Sequence, residues 1–449
     1  MFRTILTVAL ISLVSSVQAK VIQVLPGHNT LQPAIDQLVN GDTLVLVDGT
    51  YTHDSTITLS VSATIRSISP GIRPRIVRVG TGNVLFIDGA ASAVVVQGLK
   101  FSSSISSSAA QCTFHSRAVE LRMIDNIVEC GLIIDVGENV VVVGNSFLDN
   151  GSITISNPGQ SLFAGNTIQR GTSGFNLNGG SLSTAYVIGN QFSCTSFINQ
   201  ATNGKSCTML SLGNNGTRYV VANRFMHDVD GVTAFDANDS VRAIHSTSSG
   251  KRFIYNNLIE FKDGDEYFSP AGIVQGIGVT GSSVNDIANN LVIYKGGMPE
   301  PTKGDAAIYV EGVGRATNNM VVGYAGTALA SNDDILEFVY NLCSGVGDLG
   351  LCTPDKNNLS VAPQFAEEVD YTLAGGSPAV NGGDPGLHLS DLDGTRSDIG
   401  LHGGRFGFLQ FDQQRAASDK PYIYPLFDEI NLSNLNAVEV KAVSVARFK

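Results

Sequence analysis

The stretch RFIYNNLIEF, residues 252–261, decides the fold because its skeleton recurs along the chain. Two apolar-leaning positions, a spacer, an Asn and then an apolar residue return as VVGNSF ending at Phe147, FAGNTI at Ile168, VIGNQF at Phe192 and VVANRF at Phe225. DIANNL, RATNNM and FVYNLC follow further on. The first Asn of each phrase is Asn126, Asn145, Asn166, Asn190, Asn223, Asn256, Asn289, Asn318 or Asn341, so the successive differences are 19, 21, 24, 33, 33, 33, 29 and 23 residues. A recurring phrase at that spacing is the mark of a solenoid.

Short runs rich in Val, Ile and Phe, such as VVVVG at 140–144 and GIVQGIGVTG at 272–281, alternate as strands do. No long segment with a 3.6-residue period separates them, which argues against leucine-rich and helical repeats. The variable step argues against propeller blades. In a parallel β-helix each coil stacks on the next at ~4.8 Å. Asn tolerates the left-handed backbone of a sharp corner, and stacked Asn side chains hydrogen-bond as a ladder. The phrase is therefore expected to be a corner, with the Asn itself in the left-handed conformation. The 33-residue coils carry more chain than a coil needs, and the surplus is expected to leave as loops, where function usually sits.

The bulk numbers fit this all-β reading. The 449 residues include 49 Gly and no Trp, with 15% charged residues, a composition suited to stacked strands and tight turns. A formal net charge of -12 without a Lys/Arg run argues against a nucleic-acid partner. Residues 1–19 read as a secretory signal, with Arg3, an apolar run and a small-residue end at Ala19. The apolar run is shorter than the ~20 residues a bilayer span needs, so no membrane span is expected and the protein is read as secreted or periplasmic. The six Cys fall into three local couples, Cys112 with Cys130, Cys194 with Cys207 and Cys343 with Cys352. Six Cys allow 15 pairings. Local disulfides are the expectation because each couple brackets a Gly/Ser/Asn-rich loop.

Both ends of a solenoid need caps. NTLQPAIDQLVNGDTLVLVDGTY reads as an amphipathic helix (Leu31, Ala34, Ile35, Leu38), a Gly41–Asp42 turn and a strand. GDTLVLVDGTY at 41–51 resembles the opening of secreted right-handed parallel β-helix proteins of bacterial type, the pectate-lyase-like superfamily. GSPAVNGGDP at 376–385 and DLDGTRSDIGLHGG at 391–404 resemble the closing coil of the same group. The resemblance covers most of residues 21–404 and implies a right-handed parallel β-helix over 20–404, with an N-terminal capping helix. Residues 405–449 are then a C-terminal tail packing on the solenoid. The superfamily holds lyases, hydrolases, epimerases and proteins without known catalysis, so the resemblance does not imply one activity.

Uronate lyases need a base and a group that neutralises the substrate carboxylate, whereas hydrolases need two or three carboxylates at cleavage distance. Threading the 33-residue coils puts Asp230 over Asp263, Lys262 over Lys295, Arg242 over Gln275, and His245 over Gly278 and then Glu311. This yields Lys262, His245, Arg242 and Glu311 as catalytic candidates, with Gly278 expected to leave a gap between His245 and Glu311. Lys295 and Tyr267, in the charge-dense FKDGDEYF loop, are candidates for binding sugar. Asp230 and Asp263 make either a salt-bridged corner or a Ca²⁺ site, set against their plain reading as turn residues in HDVDG and KDGDE. The paired Arg and acidic triplet of pectate lyases and the NTD and GHG phrases of polygalacturonases are not found. The functional expectation is a polysaccharide-active protein, a lyase on an acidic glycan. The alternative is a non-catalytic β-helix that presents loops to a glycan or protein partner; oligomeric state is left open.

Overall fold

The structure is a computed structural model that describes residues 18–104, 112–135, 137–148, 152–156, 158–170, 174–194, 206–228, 240–262, 273–281, 284–295, 306–333, 336–386, 390–404, 406–408, 422–425 and 442–445. Three parallel sheets run along it, with 13, 13 and 12 strands, each strand paired with its counterparts one coil before and after. Sheet A runs from Val21–Val24 to Leu336–Val339, sheet B from Gly27–His28 to Leu342–Ser344, and sheet C from Ile57–Leu59 to Asp348–Gly350. Every complete coil contributes one strand to A, then B, then C. This is a parallel β-helix, and parallel crossovers take the right-handed sense. In the first coil the helix Leu31–Ile35 stands where a sheet C strand would be, burying Leu31, Ala34 and Ile35 over the end of the core. It is shorter than the 31–38 the pattern suggested; Leu38 still packs in, but beyond the helix.

The Asn corner is real but works differently from the expectation. The residue in the left-handed conformation is the one before the ladder Asn: Asp125, Gly144, Gly165, Gly189, Ala222, Asn256, Asn289, Asn318, Tyr340 and Asn357 all have positive φ. The next residue turns its amide into the corner. There Asn126 accepts the Leu99 N–H on its Oδ1, and Asn145, Asn166, Asn190, Asn223, Asn257, Asn290, Asn319, Asn341 and Asn358 each accept on Oδ1 both the backbone N–H and the side-chain amide of the ladder Asn one coil back, at 2.8–3.2 Å. At the Asn-Asn pairs the ladder thus passes through the second Asn, not the first.

The first Asn of each pair has another task. Asn256 donates to the carbonyls of Leu401 and Gly403, Asn289 to that of Asp398, and Asn318 to the hydroxyl of Ser397. The segment read as a closing coil therefore does not close a coil. It runs back along the outside, over the corner between sheets A and B. Tyr371, Ala379, Ile399, Leu401 and Phe408 form an apolar cluster with Tyr255, Leu258, Leu291 and Met320 on the outer face of the coils. Arg224 adds a contact to Asp370 at 3.7 Å. Beyond it, Tyr422–Pro425 pairs antiparallel with Ala442–Val445.

The three local disulfides form as expected, Cys112–Cys130, Cys194–Cys207 and Cys343–Cys352. The first two lie where sheet B passes to sheet C, the corner from which the long connections leave, whereas the third ties the last sheet B strand to the residue beyond the last sheet C strand. Disulfides persist in oxidising compartments, which makes the protein extracytoplasmic. Among the described residues, no helix is long and apolar enough to cross a membrane.

Inside the solenoid, Arg218 and Arg252 are register partners on sheet A and fully buried. Among the described residues, no carboxylate meets either in an ion pair; Arg252 donates to the carbonyls of Gly216, Lys251 and Asn214 and to the hydroxyls of Ser246 and Ser248. Burial depresses the two guanidiniums, to about 10 for Arg218 and about 9 for Arg252. They fasten the loops that lead from sheet C back to sheet A.

Candidate functional site

The outer faces of the three sheets differ. Those of A and B carry the apolar cluster and, in the later coils, the returning segment. The outer face of sheet C is polar. One column in strict register runs Phe86, His115, Ile133, Thr154, Asn176, Ser211, His245, Gly278 and Tyr309. Its flank holds Thr208, Arg242 and Gln275, also in register.

Strand alternation would not let residues three apart share a face. Here they do, because the pairing of the strands Ser206–Gly213, Ser240–Ser246 and Ile273–Val279 skips Met209, Ala243 and Gly276. In Ser240–Ser246 both Ala243 and Ile244 turn inward, so Arg242 and His245 both face out. Gly276 fits this step because a Cβ there would meet the Ala307 carbonyl at 2.9 Å and the Val292 side chain at 2.8 Å. Such irregularities re-aim side chains and recur beside active sites.

Among the described residues, the side chains of Arg242, His245 and Gln275 have no hydrogen-bond or ion-pair partner, and the Arg242 Nε is buried without one. Gln275 is 8% exposed and lies over Gly278, where an added Cβ would meet its Oε1 at 2.0 Å. The gap anticipated at Gly278 is thus filled by an amide. Burial, and next the charge of Arg242, push the His245 imidazole down to about 4, so it is neutral at physiological pH. A fixed cation, an amide and a neutral imidazole share one surface.

The next coil is two residues shorter than the 33-residue spacing assumed, since Gly278 pairs with Tyr309. Glu311 is therefore not in register with His245, as the threading had it. Its Oε1 accepts the Tyr309 hydroxyl at 2.5 Å and the Asn332 amide at 3.2 Å, while Oε2 accepts the Gly281 N–H at 3.1 Å. These bonds, that from Tyr309 foremost, hold its carboxyl below the usual range. Burial and the Glu311 carboxylate push the phenol of Tyr309 up, which keeps it protonated.

The remaining candidates lie elsewhere. Lys262 and Lys295 are register partners, but on the outer face of sheet B. Lys295 binds Glu260 at 3.1 Å and sits 5.0 Å from the centre of the Tyr371 ring, under the returning segment. Asp230, Asp263 and Tyr267 fall outside the described residues. Among those described, no three His, Cys, Asp or Glu converge as a metal site would require. The structure thus brings Arg242 and His245 together, sets Glu311 behind Tyr309, and separates the two lysines from them. Gln275 appeared in the sequence only as the partner of Arg242, and Tyr309 was missed. The signal for Tyr309 was a shortened coil, which equal spacing hid.

No family model matches the chain, and no curated protein does. Among solved structures, the crystal structure of pectate lyase Pel9A is similar over 86% of this chain and 96% of that chain, with 11% identity and a TM-score of 0.40. A likeness at that level carries no argument, and the fold assignment rests on the strand pairing.

Proposed function

We propose that this protein is an exported polysaccharide lyase that cleaves next to a uronate on the outer face of sheet C. The observation that carries the reading is the set of side chains of Arg242, His245 and Gln275 on one surface, without a partner among the described residues, with protonated Tyr309 one coil beyond Gly278. In β-elimination the carbon bearing the carboxylate loses its proton, and charge builds on that carboxylate. Arg242 and the Gln275 amide stabilise it by charge-assisted hydrogen bonds. Neutral His245 takes the proton. The electron pair forms the new C4–C5 double bond, the C4–O bond breaks, and the departing oxygen takes the proton that the Tyr309 hydroxyl otherwise donates to Glu311. Glu311 orients the phenol. Lys262 and Lys295 contribute as sheet B surface groups outside this step, and the leader 1–19 directs export.

The test is incubation of the mature protein with a panel of uronate-containing polysaccharides, followed by mass spectrometry and ultraviolet absorbance of the conjugated product. The expected result is oligomers lacking one water, lost in His245→Gln. Tight binding without products would instead favour a glycan-binding protein, and products with water added would sink the lyase reading.

A further inference from the structure

We infer that the substrate is a heteropolysaccharide whose uronates are isolated between neutral sugars, rather than a homopolyuronate. This rests on the proposed lyase reading and concerns what lies beside the reacting unit. The column that holds His245 continues toward the N-terminus through Ser211, Asn176 and Thr154, with Thr208 and Asn178 alongside. All five are half-buried and uncharged. A glycan lying along the axis advances by about one sugar for each coil, because the strand spacing of ~4.8 Å is close to the rise of one pyranose unit. Each coil before His245 thus offers a neighbouring sugar hydroxyls and amides, which suit sugar hydroxyls.

A run of carboxylates would need a cation on each coil. The described strands Ile153–Ser156 and Phe175–Asn178 bear none, and the strand Ser206–Gly213 bears none by sequence. The connections that lead into the Arg242 and Gln275 strands add Asp230, Asp236, Asp239, Asp263, Asp265 and Glu266 and no Lys or Arg. With a net charge of -12, the surrounding field repels a polyanion. Among the described residues of these strands, one carboxylate is matched by one guanidinium and its neighbours are not; Lys205, just before Ser206–Gly213, lies outside the described residues.

The experiment compares kcat/KM on two probe groups: polygalacturonate and polymannuronate, against deacylated gellan and a rhamnogalacturonan backbone, whose 4-linked uronates are separated by neutral sugars. The same assay is run on Thr208→Lys, which adds a cation one coil before Arg242. The expected result is a preference of at least about tenfold for an isolated-uronate polymer, reduced in Thr208→Lys. Equal or faster cleavage of a homopolyuronate overturns the inference while leaving the lyase reading intact. An unchanged preference in folded Thr208→Lys also overturns it, since the missing cation would not be its cause. No product from any of the four polymers sinks the lyase reading itself, and the inference with it.

Discussion

At His245 the proposed lyase step depends on a proton that the fold keeps away. The imidazole is partly buried beside the Arg242 guanidinium, and both effects disfavour its charged form. The free enzyme's kcat/KM on a uronate polymer is therefore expected to stay flat from about pH 8 to about pH 5 and to fall through about 4 as His245 becomes protonated. A bound uronate offsets the charge of Arg242, so the fall in kcat should come at higher pH. The same group links to stability. Between 6.5, its ordinary value, and about 4 the unfolded chain holds the extra proton. The contribution to folding is thus complete above 6.5 and lost as pH falls toward 4. Melting curves of His245→Gln should lose that slope. The Tyr309–Glu311 bond predicts a split of another kind. Tyr309→Phe should lower kcat by about 100-fold, the range of a lost general acid. Glu311→Gln, which leaves the phenol in place but ill-oriented, should lower kcat by about tenfold with KM little changed. Equal loss in both variants would make Glu311 more than a positioning residue.

At the scale of the element, the corner was legible in the sequence and its geometry was not. The Asn repeat reported a ladder because each rung must bond both its neighbours, so the residue type recurs. It did not report which Asn of a pair is the rung, since Gly144, Ala222 and Asn256 all satisfy the left-handed position before it. Only the contacts of Asn256 with Leu401 and Gly403 separate the two roles. The roles predict different costs. Asn223→Ala removes the acceptor of the Asn190 amide and orphans the Val187 carbonyl inside the corner, and should cost about 3 kcal/mol in denaturant melts. Asn256→Gly keeps the left-handed backbone and loses only the hold on the returning segment. It should cost about 1 kcal/mol and speed proteolysis near residues 401–404. If both variants melt alike, the ladder is not the stabilising column. Site geometry was the hardest to read. Arg242 and His245 follow from the 33-residue spacing, but their shared face depends on the skipped Ala243 and the Tyr309 coil breaks the count.

Across the whole molecule the two kinds of outer surface divide the labour. Sheet C presents a polar outer face, the site of the proposed chemistry, whereas the corner of sheets A and B is apolar and needs cover. The segment 362–408 supplies that cover, by a path that resembled a closing coil in sequence because its Gly-rich turns have coil-like wording. Leu258, Leu291, Met320 and Leu342 would be exposed without it, since Tyr371, Ala379, Ile399, Leu401 and Phe408 are their partners in the cluster. A chain ending at residue 361 should therefore retain the coil-to-coil ladders, and hence its β-sheet circular dichroism, yet self-associate through the bared corner, seen as a concentration-dependent shift in sedimentation. The triple variant Asn256→Gly, Asn289→Gly, Asn318→Gly separates polar from apolar docking. It removes the side-chain hydrogen bonds but leaves the apolar partners in place, so it should remain monomeric with a lowered melting temperature. Self-association of the triple variant as strong as that of the truncated chain would mean that the Asn column, rather than the apolar contact, holds the segment down.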